Sequence, residues 1–331
     1  MEGPKVILKA ERLRSCVLNQ TLLSCELSSS SSSGSTKIPV HACIKGKCVD
    51  VVSVGKELFL VFEQSCHVIR IHFQMNGTEI LLPPAVQPPR TVRGSRKVAS
   101  AIIRFQDHDI HFFDTSISLK STESFNIVCS RLSRDISVEN FDVATSVELL
   151  EGDCRPVQEA VMDQSILPGV GNIIKCEGLF RSRVNPSALT RNIPKEKLSL
   201  IVTMLYKFAR EWLHSCRSRG RRAHLEFEVY GRDNCSVCRG SIRLERNRGD
   251  GRITYYCPSC QPNDEQLLDI SKLSTSSTKP IFANDFVNGA YDIFVMPKCK
   301  CISSEKSPTL QRVRKPGTCC CSDTQLWVMN A

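Results

Sequence analysis

Between Tyr230 and Gln261 the chain reads YGRDNCSVCRGSIRLERNRGDGRITYYCPSCQ, which holds two Cys-x2-Cys pairs separated by eighteen residues. Each Cys-x2-Cys turn brings two thiolates to one metal ion, and two such knuckles close a tetrahedral site with no open coordination position. Cys235, Cys238, Cys257 and Cys260 therefore read as ligands of a structural zinc ion. Residues 241–246 and 252–256 alternate as strands, and residues 247–251 (NRGDG) carry hairpin-turn chemistry. The predicted unit is a zinc-pinned β-hairpin whose tip presents Arg246, Arg248 and Arg252. A stabilising ribbon with a merely solvated basic tip is the plainer alternative. Disulfides are the weaker rival, because eighteen cysteines without a secretory signal suggest a reducing compartment.

A chain of 331 residues, 41% of them hydrophobic, has material for two or three domains with real cores. Its formal net charge is +10, and Lys and Arg cluster at 90–97, 217–222 and 239–252. Such clustering predicts a polyanionic partner, nucleic acid first. No apolar run approaches the roughly 18 residues of a membrane span. A soluble, intracellular protein without a membrane partner is the expectation.

The first residues, MEGPKVILKAERLRSCVL, suggest a short apolar start at Val6 and Leu8 followed by an amphipathic helix through Leu13, Cys16 and Val17. Residues 28–34 are nearly all serine and read as a flexible loop. From 40 to 120 the apolar runs are short or alternating (49–54, 57–62, 67–73, 79–82, 98–105, 110–114), which predicts a β-sandwich or barrel. Beyond residue 125 the period changes from 2 to 3.6, with helices predicted over 138–150, 156–164 and 194–216. Between the last two, LPGVGNIIKCEGLF breaks at Pro168, Gly169 and Gly171, and Asn172 opens a further helix running to about Arg181. Glycines before a helix let a phosphate approach backbone N–H groups at the positive end of the dipole, and Asn172 adds a side-chain donor. A tight helix–helix turn is the alternative. The cysteines of the tail, Cys299, Cys301 and Cys319 to Cys321, match no metal spacing.

Five motifs occur in order: Glu-Gly-Pro at the start, Gly-Lys-Glu-Leu-Phe at 55–59, Ile-His-Phe-Gln-Met-Asn-Gly at 71–77, Met-Asp-Gln-Ser-Ile-Leu-Pro-Gly-Val-Gly-Asn-Ile-Ile-Lys at 162–175, and the arginine-containing zinc finger. In these the chain resembles the formamidopyrimidine-DNA glycosylase and endonuclease VIII family of base-excision repair enzymes, over about residues 1–273. The resemblance implies an α+β multidomain protein. On that resemblance residues 1–125 would form an N-terminal β-sandwich catalytic domain, 126–225 a helix-two-turn-helix domain and 226–273 a zinc-finger hairpin, with a disordered tail expected at 274–331. DNA would lie in the cleft between the halves, bound by a monomer in the nucleus.

The resemblance also implies roles. Lys56, Asn172 and Arg252 match the family's phosphate-gripping trio, with Gly171 beside them, and Met75 matches the wedge that fills the hole left by a flipped nucleotide. Glu2 matches the acid beside the nucleophile; taken alone it reads as a solvated surface carboxylate. The family attacks with the α-amine of the residue before that Glu, which here is Met1, either retained or standing where one residue has been lost. An α-amine titrates near ~8 and a lysine near ~10.4, so the terminus has a neutral fraction roughly several hundredfold larger at pH 7. Attack on C1′ through Schiff-base chemistry, with β-elimination, would make the protein a bifunctional DNA glycosylase and abasic-site lyase.

Duplex-preferring members fill the gap with a Met, an Arg and a Phe. Here no Arg-x-Phe pair follows Asp114 in HFFDTSI, and Phe112 and Phe113 read as core. The expected substrate is therefore damaged single-stranded or forked DNA, with cross-links between strands a further implication. Two other classes stay open: a zinc-containing protein that binds DNA without chemistry, and an RNA-binding translation factor.

Overall fold

The computed structural model describes residues 1–27, 44, 46–89, 91, 92, 95, 96, 98–219, 225–247, 249 and 251–263. The serine tract, Arg248, the basic residues 221 and 222 and the cysteine-bearing tail lie outside the described residues.

Helix α1 runs unbroken over Gly3–Val17, with Pro4 in the first turn where its missing N–H is harmless. Val6, Ala10, Leu13 and Val17 recur at helical spacing and are all buried, so the short start and the later helix expected from sequence are one element. Strands follow at β1 (Leu22–Leu27), β2 (Cys48–Val54), β3 (Glu57–Phe62), β4 (His67–His72), β5 (Thr78–Leu82), the two-residue β6 (Thr91–Val92) and β7 (Ser95–Arg96), β8 (Ala101–Phe105), β9 (Asp109–Phe113) and β10 (Ser116–Ser121). Eight of them build two antiparallel four-stranded sheets, ordered β1-β8-β9-β5 and β10-β4-β3-β2, while β6 and β7 pair with each other. Sequence periodicity missed β1, which borders the serine tract, and β10, whose SISLKS has only two apolar residues.

The sandwich core comes from inward-facing Leu58, Leu60, Ile69, Ile71 and Phe73 against Ile103, Phe105, Ile110 and Phe112, with the apolar stripe of α1 added. Phe112 and Phe113 are core residues, as expected. On the outer face of the second sheet, Phe125 of α2 (Thr122–Cys129) packs on Phe59 at 5.0 Å between ring centroids, in a small cluster with Val54 and Val68.

The second core gathers α3 (Val143–Leu150), α4 (Val157–Ala160), α5 (Asn172–Arg181) and the long α6 (Lys195–Arg219). Along α6, Leu198, Ile201, Leu205, Phe208 and Trp212 share one buried face. Two of these helices are shorter than their periodicity suggests. The start of α3 is fixed by Asp142, whose carboxylate accepts from Thr145 N at 3.0 Å. After α4, Asp163 captures Ser165 N and turns the chain before a second full turn can form. Strands β11 (Arg243–Arg246) and β12 (Ile253–Tyr256) pair as the expected hairpin.

Candidate active site

The turn between β2 and β3 carries Gly55 and Lys56, and the connection from β4 to β5 carries Met75. Gly55 has φ +61°, and its N–H donates to Asp135 Oδ2 at 2.6 Å. Asp135 also accepts from Ser137 N at 2.9 Å, and Ile136 N donates to Pro168 O at 3.0 Å. The segment linking the two cores is thus clamped between the Lys56 turn and the Pro168-Gly169 turn. Asp135 is wholly enclosed, and burial pushes its carboxyl up to about 6 against the two N–H bonds that favour the anion.

For Glu2 the structure departs from the reading of the residue taken alone. It is not a solvated carboxylate: it is buried, and its two oxygens accept from Ile173 N at 2.8 Å and Ile174 N at 3.1 Å. A carboxylate here satisfies orphan donors of α5 and sits at the positive end of its dipole. Of the N–H groups around this turn, Ile173 N and Ile174 N are taken by Glu2, Gly169 N donates to Gln164 Oε1 at 3.0 Å and Val170 N to Leu167 O at 3.3 Å, so none of these four is open to the expected phosphate. Gly171 is needed for the contact with Glu2 instead: a Cβ there would fall 2.3 Å from Glu2 Cδ. Gly3 N donates to Gly169 O at 3.0 Å, which seats the whole N-terminus against the same turn. Burial raises the pKa of Glu2, with the two N–H bonds and then Lys56 opposing.

The Met1 α-amine donates to Gln74 O, next to Met75. Its pKa is lowered, first by burial and then by Lys56, while Glu2 opposes and Arg252 adds to the lowering. Met1, Glu2, Lys56 and Arg252 thus act on one another electrostatically despite their separation in sequence. Met75 stands 79% exposed at the rim, an apolar side chain with no packing role to explain it. Asn172 has a structural contact besides the phosphate role expected of it. Its Nδ2 donates to Ile253 O at 2.8 Å, so one amide hydrogen fastens the hairpin beside Arg252.

Helix α5 organises everything around it through polar residues that sequence reasoning passed over. Lys175 is wholly buried, with Nζ on Thr254 Oγ1 at 2.8 Å, and Thr254 in turn donates to Gln158 Oε1 at 2.7 Å. The Glu177 carboxylate accepts from the backbone N–H groups of Glu228, Val229 and Tyr230 at 2.8–3.0 Å, fixing the entry to the cysteine module. Their signal in the sequence is two charges on a short helix whose other central residues are buried.

Cys235, Cys238, Cys257 and Cys260 bring their Sγ atoms within 4.8 Å of one another. Zn–S bonds of ~2.3 Å put tetrahedral sulfurs about 3.8 Å apart. Cys235 and Cys260 are at 3.8 Å and Cys238 and Cys257 at 3.4 Å, so the donor set fits one such ion. Gln261 accepts from Cys257 N at 3.1 Å and donates to Val184 O at 2.7 Å, tying the second knuckle to the helical core.

Residues 132–216 match the Formamidopyrimidine-DNA glycosylase H2TH domain. Endonuclease 8-like 3 of Homo sapiens is 32% identical over 232 residues, which is 69% of this chain and 37% of that protein. The chain belongs to the formamidopyrimidine-DNA glycosylase and endonuclease VIII family. Another relative, formamidopyrimidine-DNA glycosylase of Rhodococcus jostii, is 26% identical over 65% of this chain and 78% of its own length. This family member spans little more than a third of the Endonuclease 8-like 3 relatives it matches. Its fold is shared with MutM in complex with DNA containing carbocyclic 8-oxo-G, at TM-score 0.65 and 19% identity over 79% of this chain and 100% of that one. The Lactococcus lactis Fpg complexed with DNA containing an abasic site superposes at TM-score 0.64, again at 19% identity, covering 79% and 99%.

Proposed function

We propose that this protein is a DNA glycosylase of base-excision repair with associated abasic-site lyase activity, acting through the α-amine borne by Met1. The observation that carries the proposal is the pairing of that amine, its pKa lowered, with the adjoining Glu2, its pKa raised. Lowering the amine's pKa enlarges its neutral, nucleophilic fraction at neutral pH, and raising that of the carboxyl makes it more readily a donor of a proton to the sugar ring oxygen as the glycosidic bond opens. Lys56, Asn172 and Arg252 are assigned to the phosphates around the flipped nucleotide, and Met75 to the emptied stack. Zinc is assigned to the four cysteines as a structural ion, holding the hairpin so that Arg252 meets the strand. The nucleus is the corresponding location, and a monomer the working unit.

Single-stranded or forked DNA is the proposed substrate form. Supporting it, the β8–β9 connection is Gln106-Asp107-His108 and the β9–β10 connection is Asp114-Thr115, and neither carries an Arg or Phe. Without such side chains, extrusion from a duplex keeps its unstacking cost of a few kcal/mol. Excision from a single strand should exceed that from the matching duplex by about tenfold or more, since 1.4 kcal/mol is a factor of ten. The same preference suits lesions exposed at opened forks, cross-links between strands among them.

Borohydride trapping of a covalent adduct with oligonucleotides carrying an oxidised pyrimidine or hydantoin, together with single-turnover rates in both strand contexts, tests these assignments. A protein that binds such DNA but never traps is a binder without chemistry, and equal rates in the two contexts remove the single-strand preference. The pH profile adds a second test. The amine lies below its ordinary 8.0, so the rate should already climb with pH below 8.0 as the amine loses its proton, and blocking the α-amine should remove that limb.

A further inference from the structure

Beyond Lys56 a cleft of about 340 Å³ opens between the outer face of the β10-β4-β3-β2 sheet, the C-terminal part of α2 and the loop through Gln164 and Pro168. Its polar wall holds Lys56, Arg70, His72, Lys120 and Arg131, against a single carboxylate, Glu57, which is bound to Arg70. Its other wall is apolar, from Val54, Phe59 and Val128. Antiparallel register puts Ser118 beside Arg70 on β10 and β4. Ser118 Oγ and His72 Nδ1 are both buried without a hydrogen-bond partner among the described residues. Two orphaned polar atoms beside an excess of cations are what a bound anion would satisfy.

The volume sits at the small end of pockets that take small organic ligands, roughly 300–1,000 Å³, and far exceeds a lone water's ~30 Å³. One nucleotide unit suits it, with phosphate on the cationic wall and sugar or base on the apolar one. Only a flexible strand can turn a nucleotide into a recess between a sheet and a helix, since a stacked duplex would have to unpair first.

We propose that this cleft is a seat for a nucleotide of the substrate strand outside the lesion, held at its phosphate by Arg70, Lys120 and Arg131 where the strand leaves Lys56. The seat rests on the proposed DNA substrate and gives the preference for single strands a binding component. Arg131 is half-buried and Lys120 exposed at the rim, and neither belongs to the catalytic group, so both can be neutralised without touching the chemistry.

The test uses the full chain and its Lys120→Gln/Arg131→Gln variant. Affinity for an oligonucleotide bearing a tetrahydrofuran abasic analogue, long enough to pass the cleft on both sides, is measured as a function of salt, single-stranded and duplex. The variant should lose about 0.7 from the slope of log K against log[salt] on the single strand, the value for one phosphate contact. It should bind the single strand about tenfold more weakly at low salt, with the duplex slope unchanged and borohydride trapping on a lesion strand at saturating protein intact. An unchanged single-strand slope overturns the seat, and so does an equal loss on the duplex. A deoxynucleoside monophosphate that displaces the strand from the parent but not from the variant would make the cleft a site for free nucleotide and also overturn it. If the parent itself binds no DNA, the proposed function falls with the inference; if the parent binds and traps while the variant matches it, only the inference falls.

Discussion

Two helix beginnings in this molecule each enclose a charged side chain, and they do so with opposite electrostatics. At the start of α5 the Glu2 carboxylate meets the N–H groups of Ile173 and Ile174. In the first turn of α6 the Lys197 side chain is wholly buried, and its Nζ has no hydrogen-bond partner among the described residues. A carboxylate complements the positive end of a helix dipole, whereas an ammonium opposes it. Burial lowers the pKa of Lys197, while the raised pKa of Glu2 is moderated by two hydrogen bonds. Burial of charge alone therefore does not mark a functional site. The enclosed charge that is hydrogen-bonded and in electrical contact with Met1 and Lys56 is the one to which we assign a chemical role.

The largest break in this comparison is Glu2→Gln. A side-chain amide can still accept from one of the two N–H groups but turns its NH2 toward the other, and it cannot hold a transferable proton. Single-turnover excision should fall by about 10²–10⁴-fold. The melting temperature should drop by the equivalent of about 1–3 kcal/mol for one unsatisfied buried donor. A variant that excises normally would return Glu2 to a purely capping role.

Cys257→Ser attacks the other support of the site. It should release the metal, loosen β12 and with it the Ile253 carbonyl that holds Asn172, and reduce DNA affinity. Metal content by mass spectrometry of the native protein and affinity on the same sample decide the outcome; full binding without metal would break the assignment. Gly171→Ala is a smaller steric probe of the same contact. Its Cβ would press on Glu2 Cγ and Cδ, both 2.3 Å away, so a loss of about 1–3 kcal/mol is expected. Trapping yield should fall with it, because the carboxylate must shift.

Lys197→Met sharpens the contrast from the other side and should stabilise the fold by on the order of 1 kcal/mol or more at neutral pH. The sign follows from linkage. The folded-state pKa lies below the unfolded value of 10.5, so the unfolded chain binds more protons between the two, and wild-type stability rises with pH across that window. The advantage of the variant in melting temperature should therefore shrink as pH approaches 10.5, and a constant difference would show that charge is not its cause. Asp135 extends the test to a second buried charge. Its folded pKa of about 6 exceeds the unfolded 3.8, so its contribution is fully present below pH 3.8 and lost as pH rises toward 6. Wild type measured against Asp135→Asn should lose relative stability across that interval, read by chemical denaturation at several pH values.

Much of the architecture was legible because it is written in short-range patterns. Alternation in 57–62 and 67–73 maps onto β3 and β4, and the apolar stripe of 194–216 onto α6. Elements failed where side-chain capture competes with periodicity, as at Asp142 and Asp163, or where apolar residues are too few, as in β10. The glycine turn reads in the sequence as a close-approach site for a phosphate, whereas the group packed against Gly171 is the Glu2 side chain. Lys175 and Glu177 went unnoticed because a charged residue on a helix is ordinarily solvated.

By itself the sequence determined the thiol spacing that gathers four sulfurs, the start of α5 at Asn172 and the basic character of the hairpin tip. Each depends on residues a few positions apart, where backbone geometry leaves little choice. Tertiary structure alone decided that the carboxylate of Glu2 fills the N-terminus of a helix 171 positions away, that Asp135 holds the Lys56 turn, and that Arg70, Lys120 and Arg131 line one cleft. Hydrogen bonds and charges are strong only at short distance and out of water. The contacts that matter for chemistry therefore exist only once two separately patterned cores have closed on each other.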